Sequence, residues 1–345
     1  MQRRLLAALP KREPILMLFA IDFFIRRLAQ GAIIVMAIAL LIFTLLRVVP
    51  GDPVRLMLGP MVSPSVAEQT AKELGLRDPI IVQFGRYMAQ VVQGDFGRSF
   101  VRSAQGGSTG GSRGESTFDA NNRAPVIGLI ATTLPYSLLL AGLAFLMSLV
   151  IAIPLGIWAG LNAGKWPDRL ALYFSSILVS LPNVWLGLVF IFLISAKAGW
   201  LPAIGYQNWT YAILPAMVLA VELIPVIVRS LSVSVSSNVL EPYVSVGQIR
   251  GLTRTRMIAA HVLRNSTIPL LNLLGIQAVG LILGGLFVVE YLFNYPGIGL
   301  LMINAVFQRD FPIIQAIAIF SCAALVIVNI LVDFASTTID RRLQY

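Results

Sequence analysis

Long apolar segments alternate with shorter polar ones along the chain, and this alternation predicts its architecture. A helix needs about 20 apolar residues to cross the hydrocarbon core of a bilayer. Segments of that length lie at about 28–49, 134–161, 170–196, 213–235, 270–289 and 313–334. The pattern therefore predicts an all-α polytopic membrane protein with six transmembrane helices.

The polar segments divide the chain into regions. Residues 1–27 are basic at both ends and enclose about eleven apolar residues, which are too few to span a bilayer. We expect a cytoplasmic extension with an interfacial helix there. Residues 50–133 form a predicted extracytoplasmic loop with a flexible Gly/Ser-rich insert at 103–122. Residues 134–335 hold the second to sixth spans and a polar loop at 238–268, and 336–345 form a tail.

Composition supports a membrane location. Hydrophobic residues make up 57% of the 345 residues and charged residues only 12%, with a mean hydropathy of +0.82. Soluble domains carry about 25% charged residues. The net charge of +10 reflects Lys and Arg in loops, which stay on the cytoplasmic side. The N-terminus, the 164–169 turn, the 238–268 loop and the C-terminus share that side, so both termini are expected in the cytoplasm.

The chain lacks the residues that the common catalytic sites need. A single histidine (His261) and a single cysteine (Cys322) cannot form a His/Cys zinc site. Two Gly-x-Ser-x-Gly patterns fall in the Gly/Ser insert, without the strand and helix of a nucleophile elbow. Gly164-Lys165 has Ala159 where a phosphate-binding loop needs glycine. We expect no catalytic residue and no metal, so energy must come from a partner or an ion gradient.

Two carboxylates fall within predicted spans. A charge at mid-span costs about 2.5–3.5 kcal/mol on insertion scales, so Glu222 must face protein or water. Arg229 lies on the same helix face but about 10.5 Å along the axis, too far for direct pairing. Glu290 ends the fifth span on its outer side. Each carboxylate either lines a translocation path (Glu290 at an outer gate) or is buried among helices.

Two pairs of glycines clear smooth strips on predicted spans. Gly156 and Gly160 are four residues apart in the second span, and Gly280 and Gly284 are four apart in the fifth. Small residues at this spacing let helices approach closely. The strips pack either within one subunit or against a second membrane subunit.

The polar stretch 241–269 contains unusual signals for a connecting loop. Asn238-x-x-Glu241 matches a capping box, which predicts a helix start. Gly251 interrupts that helix, and a second short helix is predicted over Leu252–Asn265, ending before Pro269. The stretch is basic, with Arg250, Arg254, Arg256, His261 and Arg264. It is either a membrane-anchoring loop or a docking element for another protein, and its order favours docking.

Several spaced motifs carry a family resemblance over residues 24–345. They are Arg47-Val48-Val49-Pro50-Gly51-Asp52-Pro53, Gly94-Asp95-Phe96-Gly97-Arg98-Ser99, Gly199-Trp200-Leu201-Pro202, Tyr243-Val244, Arg250-Gly251-Leu252, His261-Val262-Leu263-Arg264-Asn265, Pro269, Glu290-x-x-Phe293-x-x-Pro296-Gly297-x-Gly299, Asp310-Phe311-Pro312 and Asn329-x-x-Val332-Asp333. The sequence resembles the membrane permeases of bacterial oligopeptide/dipeptide/nickel ATP-binding cassette (ABC) importers, of the OppB/DppB type.

The resemblance implies the type I ABC importer permease (MetI-like) fold in the bacterial cytoplasmic (inner) membrane. It implies a second homologous permease, two cytoplasmic ATPases and an extracytoplasmic substrate-binding protein as partners, and no nucleic acid. ATP and Mg²⁺ would be used by the ATPases, with no cofactor bound by this chain. We call residues 241–269 the coupling element, because the resemblance makes it the ATPase contact, through Tyr243, Arg250, Gly251, Leu252, Arg254, His261, Leu263, Arg264 and Asn265.

The implied function is import of di- or oligopeptides. An importer of nickel or another small solute is an alternative within the family. A stand-alone secondary transporter that uses Glu222 as an ion site is the alternative from another class. Ser245-Val246-Gly247 departs from the family pattern before the coupling glycine, and we expect Gly247 to add flexibility there.

Overall fold

The computed structural model of the chain describes residues 12–48, 54, 62–73, 75–103 and 123–339, which are largely helical. Except for Ser103, the predicted insert at 103–122 lies outside the described residues, as do residues 1–11 and 340–345. The described elements before the core are α1 (Arg12–Val48), α2 (Pro64–Glu73), α3 (Ile80–Val92), β1 (Arg98–Ser103) and β2 (Arg123–Pro125). The strands are antiparallel, so the insert joins two paired strands.

The remaining elements form a chain of long helices with short breaks. They are α4 (Val126–Leu161), α5 (Trp166–Val179), α6 (Asn183–Phe190) with a π-helical continuation (Ile191–Lys197), a 3₁₀ turn (Trp209–Ala212), α7 (Ile213–Val239), α8 (Pro242–Ile249), α9 (Arg254–Met257), a π-helical segment (Ile258–Val262), α10 (Leu263–Gly280), a further π-helical segment (Leu281–Gly285), α11 (Leu286–Leu292), α12 (Ile298–Gln308) and α13 (Phe311–Ile339).

Within the described residues, four helices are long and apolar enough to cross a membrane: Phe24–Val48, Val126–Leu161, Trp209–Val239 and Phe311–Ala335. The pair Trp166–Val179 and Asn183–Lys197 makes five if it is one span. The predicted fifth span lies in the run from α10 to α11, which is divided by a π-helical segment. The count of six spans stays a prediction.

The third predicted span is broken rather than continuous. α5 ends at Val179, and the helices on either side of the break are bent by 95°. Pro182 directly precedes α6. Proline disfavours a helical conformation of the residue before it and has no N–H to donate. The prediction of one uninterrupted helix over 170–196 is therefore wrong.

α1 runs without a break from Arg12 to Val48, so the predicted division at residue 27 between an interfacial helix and the first span is not seen. α1 lies along α13. Arg27 forms a 2.7 Å ion pair with Asp333, and Gly31 leaves room for the side chain of Val326.

The centre of the fold is the close approach of α4 and α7. A Cβ on Gly156 would lie 3.0 Å from Leu231 Cβ, and one on Gly160 would lie 2.7 Å from the Ser232 carbonyl oxygen. Only glycine fits such a backbone approach. The first glycine pair thus packs within one subunit. Many large apolar side chains of α1 and α5 are exposed, as expected for helices that face the hydrocarbon core of a bilayer.

Candidate coupling surface and translocation path

The coupling element begins with α8, whose start differs from the prediction. Glu241 precedes α8 with an extended backbone and Pro242 occupies its first turn, but no side chain caps the helix. Asn238 belongs to the last turn of α7. The predicted capping box is therefore wrong, because the Asn238 side chain has partners elsewhere.

Asn238 joins α7, α8 and α10. Its side-chain nitrogen donates to the Ser234 carbonyl oxygen at 2.9 Å and to Ser266 Oγ at 3.1 Å. Its side-chain oxygen accepts from the Tyr243 hydroxyl at 3.3 Å. Ser266 in turn donates to the Val262 carbonyl oxygen at 2.9 Å. One amide thus connects the coupling element to α7 and to the start of α10, and Tyr243 belongs to this internal contact. The predicted role of Tyr243 in an ATPase contact stays a prediction.

Gly251 ends α8 in a Schellman turn. The Leu252 N–H donates to the Gly247 carbonyl oxygen at 3.1 Å, and the Gly251 N–H donates to the Gln248 carbonyl oxygen at 2.9 Å. This arrangement needs a left-handed residue after the helix, and Gly251 has a φ of +81°. The glycine therefore sets the direction in which the chain leaves α8.

The inner side of the coupling element packs into the membrane helices. Val244, Met257 and Val262 are buried together with Leu231 and Val235 of α7. Gly247 is buried, and a Cβ there would overlap the Met257 side chain. The expectation that Gly247 adds flexibility does not fit this packing: the missing side chain lets α8 lie close to Met257.

The outer side of the coupling element is exposed. Ile249 is 86% and Val246 47% exposed, although both are apolar. The exposed set also contains these predicted coupling residues: Arg250, Gly251, Arg254, His261, Arg264 and Asn265. Tyr243, Leu252 and Leu263 are half-buried and belong to the inner packing. The element thus presents a mixed apolar and basic surface, a composition that suits a protein partner.

The second helix of the coupling element does not end before Pro269. Helical structure continues from Arg254 through His261, which lies in the π-helical segment, into α10 with Pro269 inside it. Neighbouring helices and local π adjustments make proline tolerable within membrane helices. The coupling element is therefore continuous with the helix run that carries the predicted fifth span.

Glu222 lies near the middle of the Trp209–Val239 span, and it is exposed. Its Oε2 accepts from Asn183 Nδ2 at 2.8 Å. Asn183 is the first residue of α6, directly after the break at Pro182. The break therefore brings an amide donor to a carboxylate at membrane depth. In the sequence, the signal that points to this contact is a polar residue, Asn183, directly after Pro182 within an apolar run.

A groove of about 860 Å³ lies between α5, α7 and α10. Most of its lining surface is apolar, and the polar side chains that line it are Ser175, Ser176, Arg229, Ser230, Ser234, Ser237 and Asn238. Val179 and Val226 also line it, and Val226 is one helical turn from Glu222. Glu222 thus lies just beyond one end of a groove whose lining also includes Asn238 and Pro269, at the coupling element.

Glu290 is fully buried, which does not fit a place on a translocation path in this conformation. Its Oε1 accepts from Ser137 Oγ at 2.6 Å, and its Oε2 accepts from the Gly299 N–H at 2.6 Å. Ser137 also accepts from the Ile298 N–H at 2.8 Å. The free N–H groups and positive dipole end of α12 stabilise the carboxylate. A Cβ on Gly297 would overlap it, which explains the Pro-Gly-x-Gly motif.

Asp310 anchors the small sheet of β1 and β2. It is buried and accepts hydrogen bonds from the buried Ser99 hydroxyl and, at 3.0 Å, from the Phe100 N–H. Burial lowers the pKa of Arg123 in β2, and the charge of Asp310 opposes that shift. The Gly-Asp-Phe-Gly-Arg-Ser and Asp-Phe-Pro motifs are thus one structural unit, which holds the strands that flank the 104–122 segment.

The second glycine pair differs from the first. Gly280 and Gly284 are exposed, and a Cβ on either would meet nothing within 4 Å. Packing within one subunit therefore does not explain them over the described residues. Their strip lies open on the helix run between α10 and α11.

Two family comparisons cover nearly the whole chain. Residues 152–345 match the family described as the binding-protein-dependent transport system inner membrane component. Residues 20–141 match the N-terminal part described for such membrane components. The first match alone covers more than half of the chain. The chain belongs to this family.

Curated relatives agree with the family match. The glutathione transport system permease protein GsiC of Salmonella paratyphi A is 31% identical over 325 residues, which are 94% of this chain and 99% of that relative. GsiC of Escherichia coli K12 is similar to the same extent, with 31% identity over 325 residues. The family resemblance inferred from the motifs is confirmed.

Solved structures share the fold. A chain of the inward-facing MetNI methionine ABC transporter (CY5 SeMet soak crystal form) matches with a TM-score of 0.54 at 15% identity, covering 62% of this chain and 97% of its own. The native crystal form gives a TM-score of 0.52 at 16% identity. The permease therefore has the predicted type I ABC importer fold.

Family membership fixes the general role. The permease is a multi-pass membrane component of an ABC importer, and it works with ATPase and substrate-binding proteins. It is not an enzyme, since ATP hydrolysis occurs in the partner ATPases.

Proposed function

We propose that the permease forms half of a peptide translocation pathway, driven through the coupling element. The observation that carries this proposal is the two-sided construction of residues 241–269. Their outer side exposes Val246, Ile249 and a set of basic groups, while their inner side is fixed to α7 and α10. An element with one side exposed to a partner and the other side fixed to α7 and α10 is suited to transferring the partner's motion to these helices.

The coupling works by moving helices. An ATPase subunit binds the exposed side of α8 and displaces it when the two ATPases close. The Asn238 hydrogen bonds and the apolar cluster around Met257 carry that displacement to α7 and α10. The groove next to these helices then changes its access from one side of the membrane to the other, a population shift driven by differential binding of a partner.

The complete importer contains a second homologous permease, two ATPases and an extracytoplasmic binding protein. The open strip at Gly280 and Gly284 supports a seam with the second permease, because small residues allow close helix approach in membranes. Both termini and the coupling element lie in the cytoplasm, supported by the distribution of Lys and Arg.

The transported solute is a short peptide. The name of the GsiC relatives points to glutathione, a tripeptide-like solute, for those proteins. The groove of about 860 Å³ supports the same class here, because it has the size of sites that hold small organic ligands and is lined by apolar groups with a few polar ones.

Reconstitution tests the proposal. The permease alone in liposomes is expected to take up no labelled tri-alanine in an ion gradient. Addition of its partner permease, ATPases, binding protein and ATP is expected to start uptake. Gradient-driven uptake by the isolated chain would support an ion-coupled transporter instead. Transport of a nickel complex but no peptide by the full assembly would refute the peptide class alone.

A further inference from the structure

Two oppositely charged groups lie on α7 toward the end of the groove that is farther from the coupling element. Glu222, with the Asn183 amide, lies past one end, and Arg229 lines the groove two helical turns on. Both charged residues are exposed within the span Trp209–Val239. In the described part of the chain, neither forms an ion pair with another residue. Exposed unpaired charges at this depth need water or a charged ligand.

The spacing of the two charges matches a short peptide. Seven helical residues separate them by about 10.5 Å along the axis. An extended chain of three residues spans about 10–11 Å. Pro225 and Val226 lie between them in the groove wall, Ser230 follows Arg229 on α7, and Ser176 lies on the α5 side. Hydroxyl groups can both donate and accept hydrogen bonds, as a peptide backbone requires.

We propose that Glu222 and Arg229 form a binding site for the two ends of a zwitterionic peptide of about three residues. Glu222 and the Asn183 side-chain oxygen receive the peptide ammonium group, and Arg229 binds the peptide carboxylate with its guanidinium fork. This inference rests on the proposed import of peptides. Such a site recognises the two charged ends of the peptide and its length, so it accepts peptides with many different side chains.

The site also has a definite polarity. Arg229 lies nearer than Glu222 to the coupling element, because α7 ends at Val239 and α8 follows. A peptide bound in this way has its carboxyl end toward the coupling element. Displacement of α7 by the ATPases changes the position of both charges together, so peptide release is linked to the same helix.

Direct binding tests the site without the binding protein, which would otherwise impose its own selectivity. The permease is assembled with its second permease and ATPases in phosphatidylcholine nanodiscs. Radiolabelled tri-alanine, its C-terminal amide and its N-acetyl derivative are the probes. Loss of one charge-assisted contact is expected to weaken binding about tenfold or more, so the wild type binds tri-alanine more tightly than either derivative by at least that factor.

The variants assign each contact. Arg229→Gln is expected to weaken tri-alanine binding about tenfold and to leave the amide unchanged, and Arg229→Lys keeps most of the affinity. Glu222→Gln is expected to weaken the binding of the two probes that have a free ammonium group. Binding of the N-acetyl derivative is expected to stay unchanged. Lys197→Gln removes an exposed charge away from the groove and changes nothing.

Three results overturn the site. The first is equal affinity of the wild type for all three probes, which decides the matter even where Arg229→Gln does not assemble. The second is an equal loss for all probes in Arg229→Gln. The third is Arg229-dependent retention of phosphatidylglycerol with no effect on tri-alanine, which assigns the guanidinium to a lipid phosphate. An assembly that hydrolyses ATP and imports tri-alanine while giving any of these results keeps the proposed function and loses only this site.

Discussion

At Gly251 the backbone geometry, and not the available space, excludes other residues. Its φ is +81°, yet a Cβ there would meet nothing within 4 Å. The left-handed conformation costs an ordinary L-residue about 1–2 kcal/mol, and asparagine tolerates it better. The position is therefore sensitive to the type of side chain rather than to its volume.

Gly251→Leu is expected to leave the permease in the membrane and to lower ATP-driven uptake several-fold, because the Schellman turn that directs α8 is strained. Gly251→Asn is the matched variant and is expected to retain most uptake. The measurement is peptide uptake together with ATPase activity in the reconstituted importer. Equal uptake by Gly251→Leu and the wild type would contradict the role of this turn.

Glu290 and Asp310 are residues whose role is structural although their charge suggests function. Each is fully buried and accepts backbone N–H groups from a neighbouring element. Sequence pattern alone left Glu290 open between a gate and a buried position. The deciding contacts come from Ser137, which is 153 residues away in the sequence.

Glu290→Gln is expected to lower the Tm of the purified permease complex. The amide retains one acceptor but offers an NH₂ group where a carboxylate oxygen accepted the Gly299 N–H. Leaving such buried groups unsatisfied costs about 1–3 kcal/mol. Glu68→Gln, at the exposed Glu68–Arg77 ion pair, is the control and is expected to leave Tm unchanged. An equal fall in Tm in both variants would show that the hydrogen bonds of Glu290 contribute no more to stability than the exposed Glu68–Arg77 ion pair does.

At the scale of helices, the two glycine pairs make contrasting predictions. Gly160→Leu is expected to destabilise the isolated permease, because its side chain would meet the Ser232 carbonyl and Val235. Gly280→Leu is expected to leave the isolated permease stable and to reduce assembly with the second permease. Thermal unfolding of the single subunit and co-purification of the pair separate these effects. Normal assembly of Gly280→Leu would rule out a seam at that strip.

Asn238 tests the connection between α7 and the coupling element. Asn238→Ala removes its contacts with Ser266 and Tyr243, and each hydrogen bond contributes about 0.5–1.5 kcal/mol. We expect ATPase activity that is partly uncoupled from uptake. Ser236→Ala removes a hydroxyl that bonds only its own helix and serves as control. Tight coupling in Asn238→Ala would mean that the apolar cluster alone transmits motion.

The apolar pattern predicted a helical membrane protein and the positions of its first, second, fourth and sixth spans, since burial in lipid or protein requires long apolar runs. It could not show the break at Pro182 or the continuity through Pro269, because the fate of a proline depends on neighbouring helices. The capping box failed for a similar reason. Asn238 had a distant partner, Ser266, and local sequence does not reveal such contacts.

The candidate positions around Gly251 came from the family resemblance rather than from periodicity, and their contact with an ATPase stays a prediction. The left-handed turn gives a physical reason for a glycine at residue 251. Asn183 and Ser137 were missed, since neither belongs to a motif and each acts through a partner in another helix. The packing of Gly247 against Met257 likewise could not be predicted from the sequence.

Across the whole molecule, the described residues form two anchored ends, and the groove beside α7 reaches one of them. Asp310 fixes the β1–β2 sheet and Glu290 fixes the start of α12, while Asn238 fixes the coupling element at the other end. Arg229 and Glu222 lie on the helix that passes between these ends. Rigid ends and a central apolar helix that carries two charged residues are a suitable arrangement for converting displacement at one end into a change of access.

The central claim is that an ATPase subunit contacts the exposed side of α8, and site-specific cross-linking measures it directly. Ile249→Cys, in a Cys322→Ala background that removes the chain's single cysteine, carries a benzophenone probe at an 86% exposed position. Val244→Cys on the buried side of α8 is the matched control. In the assembled importer, we predict that illumination joins the probe at residue 249 to an ATPase subunit, and that the control gives no such product. Cross-linking of residue 249 to lipid alone, or to the binding protein, would contradict the account.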